Sequence, residues 1–597
     1  MAFPYFKAWP FIAVILGVFP SAIAVERFVA PDGSDANPGS IERPFATLQR
    51  ARDAVLEVAG KSGDAGLVTL RGGVYRMREP LRIGPEHSGR PGNPLVIRAY
   101  PGEKAVLSGG EAVSGWELHD AGKSIYRARV GPELFRQVYL NGERLQRARH
   151  PNGTMEEGPY WRLAGVDLEG KRLILGAWYW QDAVRKAGGE PMEIVWNAAW
   201  IQFRAPCGGA DVTDRKAAVW LDTPDAASFF RKTPDYYDRM PYSFEHALGF
   251  VDQDREWFHD AASGYLYVQF PRGLDPGANL VEVPRLPSLV VVEGEADRPV
   301  RDVEFRGLQF ELTNWTRPST RGLPATQFVQ PYAGAKDTQP YGGPEGFAKT
   351  DYPPGAVKAR HAERLAIRNC RIRNAGAHGI QFWQPVRECD IEGNTICQIA
   401  ANGIEVDAGY ERGAGPDRQT VGVAIWNNRI HHCGRDYTNG GGLLAHFVRG
   451  LVFDHNEVFE MPYSGIQIGN QPDGYNDWGC RDNKVRWNRF YRVMRLHDDG
   501  GAVYTLGGDQ PGTVIAENYA SDLVRSPWTG DKWISGIYLD NNTRYVVCER
   551  NVILGCDPKQ PYGEFNRAKE NIFRDNDGAD PGVISRAGVK EGYSPRR

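Results

Sequence analysis

The sequence predicts an all-β chain: a right-handed parallel β-helix with an N-terminal capping helix and an inserted β-rich domain. Three observations carry this prediction. First, one polar residue, followed two places later by an apolar one, recurs at Asn394, Asn428, Asn456, Asn488, Asn518 and Asn551, with Cys370 in the same slot one turn earlier. The steps are 24, 34, 28, 32, 30 and 33 residues. Short strands joined by loops of varying length produce such drift, whereas a helical repeat holds its period more tightly. Second, a Gly-led apolar tetrad recurs as Gly379-Ile-Gln-Phe382, Gly403-Ile-Glu-Val406, Gly465-Ile-Gln-Ile468, Gly501-Ala-Val-Tyr504 and Gly536-Ile-Tyr-Leu539. Each tetrad has the two-residue alternation of a strand. Third, Asn tolerates left-handed backbone and its amides can ladder between stacked turns, which suits an Asn column at the corner of a coil. An antiparallel sandwich with Asn in its turns gives no reason for one shared register.

The elements follow in chain order. Residues 1–24 read as an export signal. Lys7 precedes an apolar run from Phe11 to Phe19, and Ala22-Ile-Ala24 supplies a small-residue cleavage pattern. The run is too short to span a bilayer. The mature chain is expected to be secreted or periplasmic, with no membrane attachment after signal removal. Residues 25–112 start the β-helix. Phe45 to Val58 has helical apolar spacing and strands are expected at Leu67–Leu70 and Leu95–Arg98, so a helix closes the open end of the first coil. Residues 113–290 lose the repeat, are rich in Trp and Tyr, and alternate as hairpins, for example over Leu266–Phe270; they read as the inserted domain. The coil pattern resumes at Val300 and the main β-helix occupies 291–577. A long Gly, Pro, Thr and Tyr-rich loop spans about 314–354. Residues 578–597 are expected to be a disordered tail.

Composition narrows the function. The formal charge is −3 with acids and bases interspersed, so nothing suggests nucleic acid. The 16 Trp and 26 Tyr suit sugar stacking as well as packing. Eight cysteines stand at 207, 370, 389, 397, 433, 480, 548 and 556 without a close C-x-x-C pair, so no zinc cage is expected. The cysteines leave both disulfides and buried thiols open. No cofactor or metal is called for, and a monomer is expected.

A β-helix offers a shallow groove in which side chains repeat at about 4.8 Å from rung to rung. Two carboxylates on neighbouring rungs can face one glycosidic bond, one as general acid and one as nucleophile or base. The candidates are Asp499, just before Gly500-Gly501, and Asp540, closing the strand of the next coil. The glycine pair leaves room for a close approach to the backbone. Asp-Gly and Asp-Asn also serve as plain turn chemistry. Along idealised strands the two acids stand roughly 15 Å or more apart. Either the glycine pair bends the chain, or another acid is the partner; Asp407, in the same slot after its tetrad, is the reserve. Asp498, His497 and His446 are candidate sugar-binding or tuning residues. Tyr475, Trp478 and Trp533 are candidate stacking surfaces, with Trp528 in the same wall. Arg204 and His246 of the insert are further groove candidates.

These residues reach a family resemblance. Phe28-Val-Ala-Pro-Asp-Gly33, Ala105-Val-Leu-Ser-Gly-Gly110, Val138-Tyr-Leu-Asn-Gly-Glu-Arg144 with Arg149-His-Pro-Asn152, Asp498-Asp-Gly-Gly-Ala-Val-Tyr-Thr-Leu-Gly507, Pro511-Gly-Thr-Val-Ile-Ala-Glu-Asn518 and Gly536-Ile-Tyr-Leu-Asp540 resemble glycoside hydrolase family 141. The opening motif is widespread among secreted β-helices; the ordered Asp-Gly-Gly and Ile-Tyr-Leu-Asp motifs are the specific ones. The resemblance runs from about residue 27 to 556. It implies a secreted hydrolase of plant cell-wall glycans, α-L-fucosidase- or xylanase-like, with Asp499 and Asp540 as the catalytic pair. Two other classes stay open: a β-helix lyase or epimerase acting on uronate polymers, and a non-catalytic glycan-binding solenoid.

Overall fold

The computed structural model describes residues 24–597 apart from 154–155, 159, 231–232, 235–236, 238, 325–326, 330–352, 384, 408–415, 470–478, 524, 526–527, 529–533, 557–560, 577 and 596–597. The export-signal candidate lies almost wholly outside the described residues.

Three long sheets form the faces of a solenoid. The first has 15 strands, from Ala24–Val29 to Ile572–Arg574; the second and third have 10 each, ending in Val552–Leu554 and Tyr562–Glu564. One coil shows the path: Val514–Ala516 in the first sheet, Tyr519–Ser521 in the second, Ile534–Asp540 in the third, then Val547–Glu549 back in the first. Each strand pairs in parallel with its counterpart one coil on, as Ile466–Ile468 does with Gly500–Leu506. Alternation sends every second residue inward, so identical slots stack. In the third sheet Ile380, Ile404, Leu443, Ile466, Val503 and Ile537 form one buried file. Burial of each such side chain contributes about 1.5–3 kcal/mol. No coil can bury its file alone, which is why stacking and folding are inseparable.

The corner between the first and second sheets carries the asparagine ladder. The Asn394 backbone N–H and side-chain amide both donate to Asn428 Oδ1 at 2.9 Å, and the same pattern continues through Asn456, Asn488, Asn518 and Asn551. It extends one rung further than the sequence reading, to Asn576, at 3.0 Å from the Asn551 N–H. Of the two reasons offered for Asn, the amide ladder holds and the left-handed backbone is corrected. The left-handed residue is the one before each ladder position: Asn427, His455, Trp487, Glu517 and Arg550 have φ of 50–58°. The ladder Asn itself is selected because one buried amide donates and accepts along the axis.

At the N-terminal end the helix Leu48–Ser62 covers the first coil through Leu48, Ala51, Ala54 and Val55. It starts later than its apolar spacing suggested. Thr47 caps it by accepting from the Arg50 N–H at 3.2 Å, while Phe45 bridges to Val29 instead. The strands Ala65–Leu70 and Leu95–Ala99 lie where the sequence places them.

Between Gly110–Val113 and Val281–Pro284 the strands pair among themselves in smaller sheets of four, five and eight strands, almost all antiparallel, and include a helix at Ala177–Ala187. This insert docks on the solenoid through Arg144, which pairs with Asp436, and through Gln202, whose amide donates to Thr438 at 3.0 Å.

The expectation of a disordered tail is corrected. A helix forms at Pro581–Arg586, and the chain then folds back across the first sheet. Tyr593 donates to Asp454 at 2.6 Å, Gly588 N–H donates to the Trp487 carbonyl at 2.7 Å, and Tyr593 packs on His455. The low apolar content of the tail hid this, because few apolar side chains, Val583 and Tyr593 among them, add to its hydrogen bonds. All eight cysteines are free thiols, and six of them are buried.

Candidate active site

The site is built on two adjacent strands of the third sheet, Gly500–Leu506 and Ile534–Asp540. Their register pairs Gly500 with Ile534, Tyr504 with Tyr538 and Leu506 with Asp540. Val503 and Ile537 point into the core, so Tyr504, Tyr538 and Asp540 point outward, beside Leu506 and Phe565.

A straight strand would leave Asp499 roughly 16 Å along the sheet from Tyr538. The Tyr538 hydroxyl nevertheless donates to Asp499 Oδ1 at 2.6 Å. The chain therefore bends, and the bend lies at the glycines. Asp499 is left-handed at φ 61°, and the pairing skips Ala502. A Cβ at Gly501 would sit 2.3 Å from the Ser535 carbonyl oxygen, and one at Gly500 would sit 2.4 Å from Ser464 Oγ. The space beside the glycine pair is thus filled by neighbouring chain. The reading of that space as room for a ligand is corrected: the glycines admit the Ser535 carbonyl and the Ser464 hydroxyl, and Asp499 beside them stays partly exposed.

Asp540 is surrounded by donors. Tyr504 hydroxyl (2.6 Å), Asn566 side-chain amide (2.6 Å), Asn541 backbone N–H (2.8 Å) and Asn541 side-chain amide (3.4 Å) all point at its carboxylate. That is a full acceptor shell for an ionised carboxylate. Tyr504 and Tyr538 have ring centroids 5.4 Å apart, and Tyr538 stacks on Phe565 at 3.9 Å. Burial, then the charges of Asp499 and Asp540, push both phenols well above their usual range, so both remain neutral donors. Tyr463, one rung earlier, donates to the Asp499 carbonyl at 2.9 Å and accepts from Gln327 at 2.8 Å. Gln327 belongs to the long loop expected at 314–354, which thereby reaches the backbone of the site.

The insert reaches the same point from the other side. His497 is fully buried; its Nδ1 lies 2.9 Å from the Ala199 carbonyl and its Nε2 lies 2.9 Å from Thr438 Oγ1. Burial pulls its pKa down to about 4, so the ring is neutral. With both nitrogens engaged, His497 ties the insert to the segment carrying the acids. Asp498 N–H donates to the same Ala199 carbonyl at 3.3 Å, and its buried carboxylate lies 4.0 Å from the Arg525 guanidinium. Trp528 packs edge-on against His497.

The remaining candidates divide. His446 and Asp407 fall in the same file as Asp540, directly after Ala445 and Val406, but several rungs away. Among the described residues, the Arg204 side chain touches the solenoid only weakly, at the Asp436 carbonyl (3.4 Å), and His246 stays within the insert. Arg204 pairs with Glu193 and Glu245 inside the insert, and His246 is buried there, its pKa depressed first by burial and then by Arg147. Tyr475, Trp478 and Trp533 lie outside the described residues. Tyr504, Tyr538, Tyr463, Gln327 and Asn566 were missed. The Ile-Tyr-Leu-Asp motif contained one of them, and the in-register Tyr504 was the available signal.

The family model for the right handed beta helix region matches residues 355–524. A solved structure titled "Glycoside hydrolase" superposes with a TM-score of 0.80 at 24% identity, covering 95% of this chain and 99% of that one. The fold is a right-handed parallel β-helix. Among curated proteins, "Pectate lyase PEL9" of Emericella nidulans is 36% identical over 105 residues, 18% of this chain and 22% of that protein. The uncharacterized protein YwoF of Bacillus subtilis is 38% identical over 90 residues, 15% of this chain and 17% of that protein. The chain thus spans about a fifth of the length of the curated relatives it matches.

Proposed function

We propose that this chain is a secreted glycoside hydrolase acting on plant cell-wall glycans, with Asp499 and Asp540 as its paired carboxylates. The observation that carries the reading is the bend at Gly500-Gly501, which brings Asp499 to Tyr538, the outward neighbour of Asp540 on the same strand. The full-length likeness to a structure titled a glycoside hydrolase supports it. Asp540, with four donors around it, acts as the ionised member, the nucleophile or the base for water. Asp499 acts as the general acid on the leaving oxygen. The separation of the two carboxyls in the loaded enzyme sets retention or inversion. In this reading the enzyme works as a monomer without a cofactor on an oligosaccharide or polysaccharide, α-L-fucoside- or xylan-like.

The test is sugar release from pectin and xylan fragments by the wild type and by Asp499→Asn and Asp540→Asn, each checked for an unchanged melting transition. Loss in both supports the pair, and full activity in either removes that residue.

The matched segment of a pectate lyase favours a second reading, β-elimination on a uronate polymer. Among the described residues no group of three His, Cys, Asp or Glu side chains is placed to hold a cation that would neutralise a uronate. Incubation with polygalacturonate separates the two readings: elimination produces an unsaturated, ultraviolet-absorbing product, and hydrolysis does not.

A further inference from the structure

The two acids are joined by a crossed pair of hydrogen bonds. Asp499 belongs to the earlier rung and accepts from Tyr538 of the later one at 2.6 Å. Asp540 belongs to the later rung and accepts from Tyr504 of the earlier one at 2.6 Å. The two tyrosines are register partners in adjacent strands, with rings tilted by 38°. We propose that Tyr504 and Tyr538 are positioning residues that set the spacing and orientation of the two acids, each tyrosine holding the acid of the neighbouring rung. This rests on the hydrolase reading above.

Three features make the arrangement suited to that task. Both rings are fixed: they are almost fully buried in a small outward cluster with Leu506 and Phe565, and the Tyr538 ring is clamped on Phe565. The crossing couples the rungs, so that a slip of one strand against the other breaks both hydrogen bonds together. Each hydroxyl also contacts a different acid, so its removal is felt first at one carboxylate. Among the described residues, other groups at the pair include the Tyr463 hydroxyl, the Asn541 and Asn566 amides on Asp540, and the neighbouring Asp498 with Arg525.

The experiment measures kcat, KM and the pH profile of Tyr504→Phe and Tyr538→Phe on the glycan from which the wild type releases sugar. A charge-assisted hydrogen bond supplies about 10- to 100-fold, so kcat is expected to fall by that factor with KM held within about twofold. Removing a donor from a carboxylate raises its proton affinity. Tyr504→Phe therefore moves the limb governed by Asp540 to higher pH, and Tyr538→Phe moves the limb governed by Asp499. If Asp540 is the base, its limb is the acidic one, and the alkaline limb belongs to Asp499. Should a Phe variant fail to melt cooperatively, 3-fluorotyrosine at 504 or at 538 keeps the shape, strengthens the donor and moves the same limb to lower pH. Wild-type kcat, or a fall in kcat with both limbs unmoved, overturns the proposal. Asp499→Asn and Asp540→Asn run alongside: if they are inactive while the tyrosine variants leave the profile unchanged, only the positioning role fails. If both Asn variants stay active, the hydrolase reading fails with it.

Discussion

Asp407 and Asp540 occupy one file of one sheet. Each follows the last residue of its Gly-led tetrad, and stepwise register links Val406 to Ala445, Ile468, Thr505 and Leu539. Four rungs, roughly 19 Å, separate them. Register position is shared, but backbone and surroundings are not: Asp407 is left-handed at φ 51°, whereas beside Asp540 the left-handed residues are Asn541 and Asn542. Asp540 has four donors drawn from the preceding strand, its own turn and the following coil. Asp407 is fully buried, accepts from the Thr420 N–H at 3.3 Å, and is pushed up to about 8, first by burial and less by Glu405. A solenoid therefore offers the same slot many times, and the local backbone and donors give an acid there different surroundings.

The widest gap should appear in activity. Asp540→Asn and Asp499→Asn are expected to lower turnover by about 10²–10⁴-fold, the range for a general acid or base, while Asp407→Asn leaves it within about twofold. Equal losses at Asp407 and Asp540 would break the comparison. The next effect is on stability. The ladder keeps coils in step, and Asn488→Ala strips the Asn456 N–H of its acceptor and the Phe453 carbonyl of its donor. Orphaned buried groups cost about 1–3 kcal/mol each. Denaturant unfolding should show that loss, with activity per folded molecule retained.

A smaller effect separates the two acids by pH. Asp407 has its folded pKa raised from 3.8 to about 8, so across that window the native state holds a proton that the unfolded chain has released. Its contribution to stability is complete at acid pH and declines as pH rises toward 8. Melting of Asp407→Asn followed from pH 5 to 8 should lack that decline. The smallest effect runs the other way. His497 is lowered from 6.5 to about 4, so stability falls as pH drops from 6.5 toward 4, where the unfolded imidazole takes a proton and the folded one does not. His497→Gln should flatten that acid slope in the same melting series.

The sequence made the coils legible because their stacking is a one-dimensional pattern: Asn in register, then an apolar tetrad. The ladder's run to Asn576 was missed for want of a tetrad beside it, and the tail because Tyr593 and Gly588 dock by single hydrogen bonds. Motifs single out the two aspartates as the proposed pair, while the contact of Asp499 with the Tyr538 hydroxyl was not legible. Straight-strand counting separated them, and the bend shows only in the Tyr538–Asp499 hydrogen bond and the left-handed Asp499. Asn566, Gln327 and Ala199 come from a later coil, a loop and the insert. Their meeting at one point depends on rung-to-rung apposition, which no local pattern encodes.

The most direct measurement is a crystal structure of Asp540→Asn with a bound pectin or xylan fragment. The account predicts one glycosidic oxygen within hydrogen-bond reach of the Asp499 carboxyl, with the anomeric carbon of that linkage facing residue 540. A fragment seated away from the Tyr504–Tyr538 pair, or with Asp499 turned from its linkage, would contradict it.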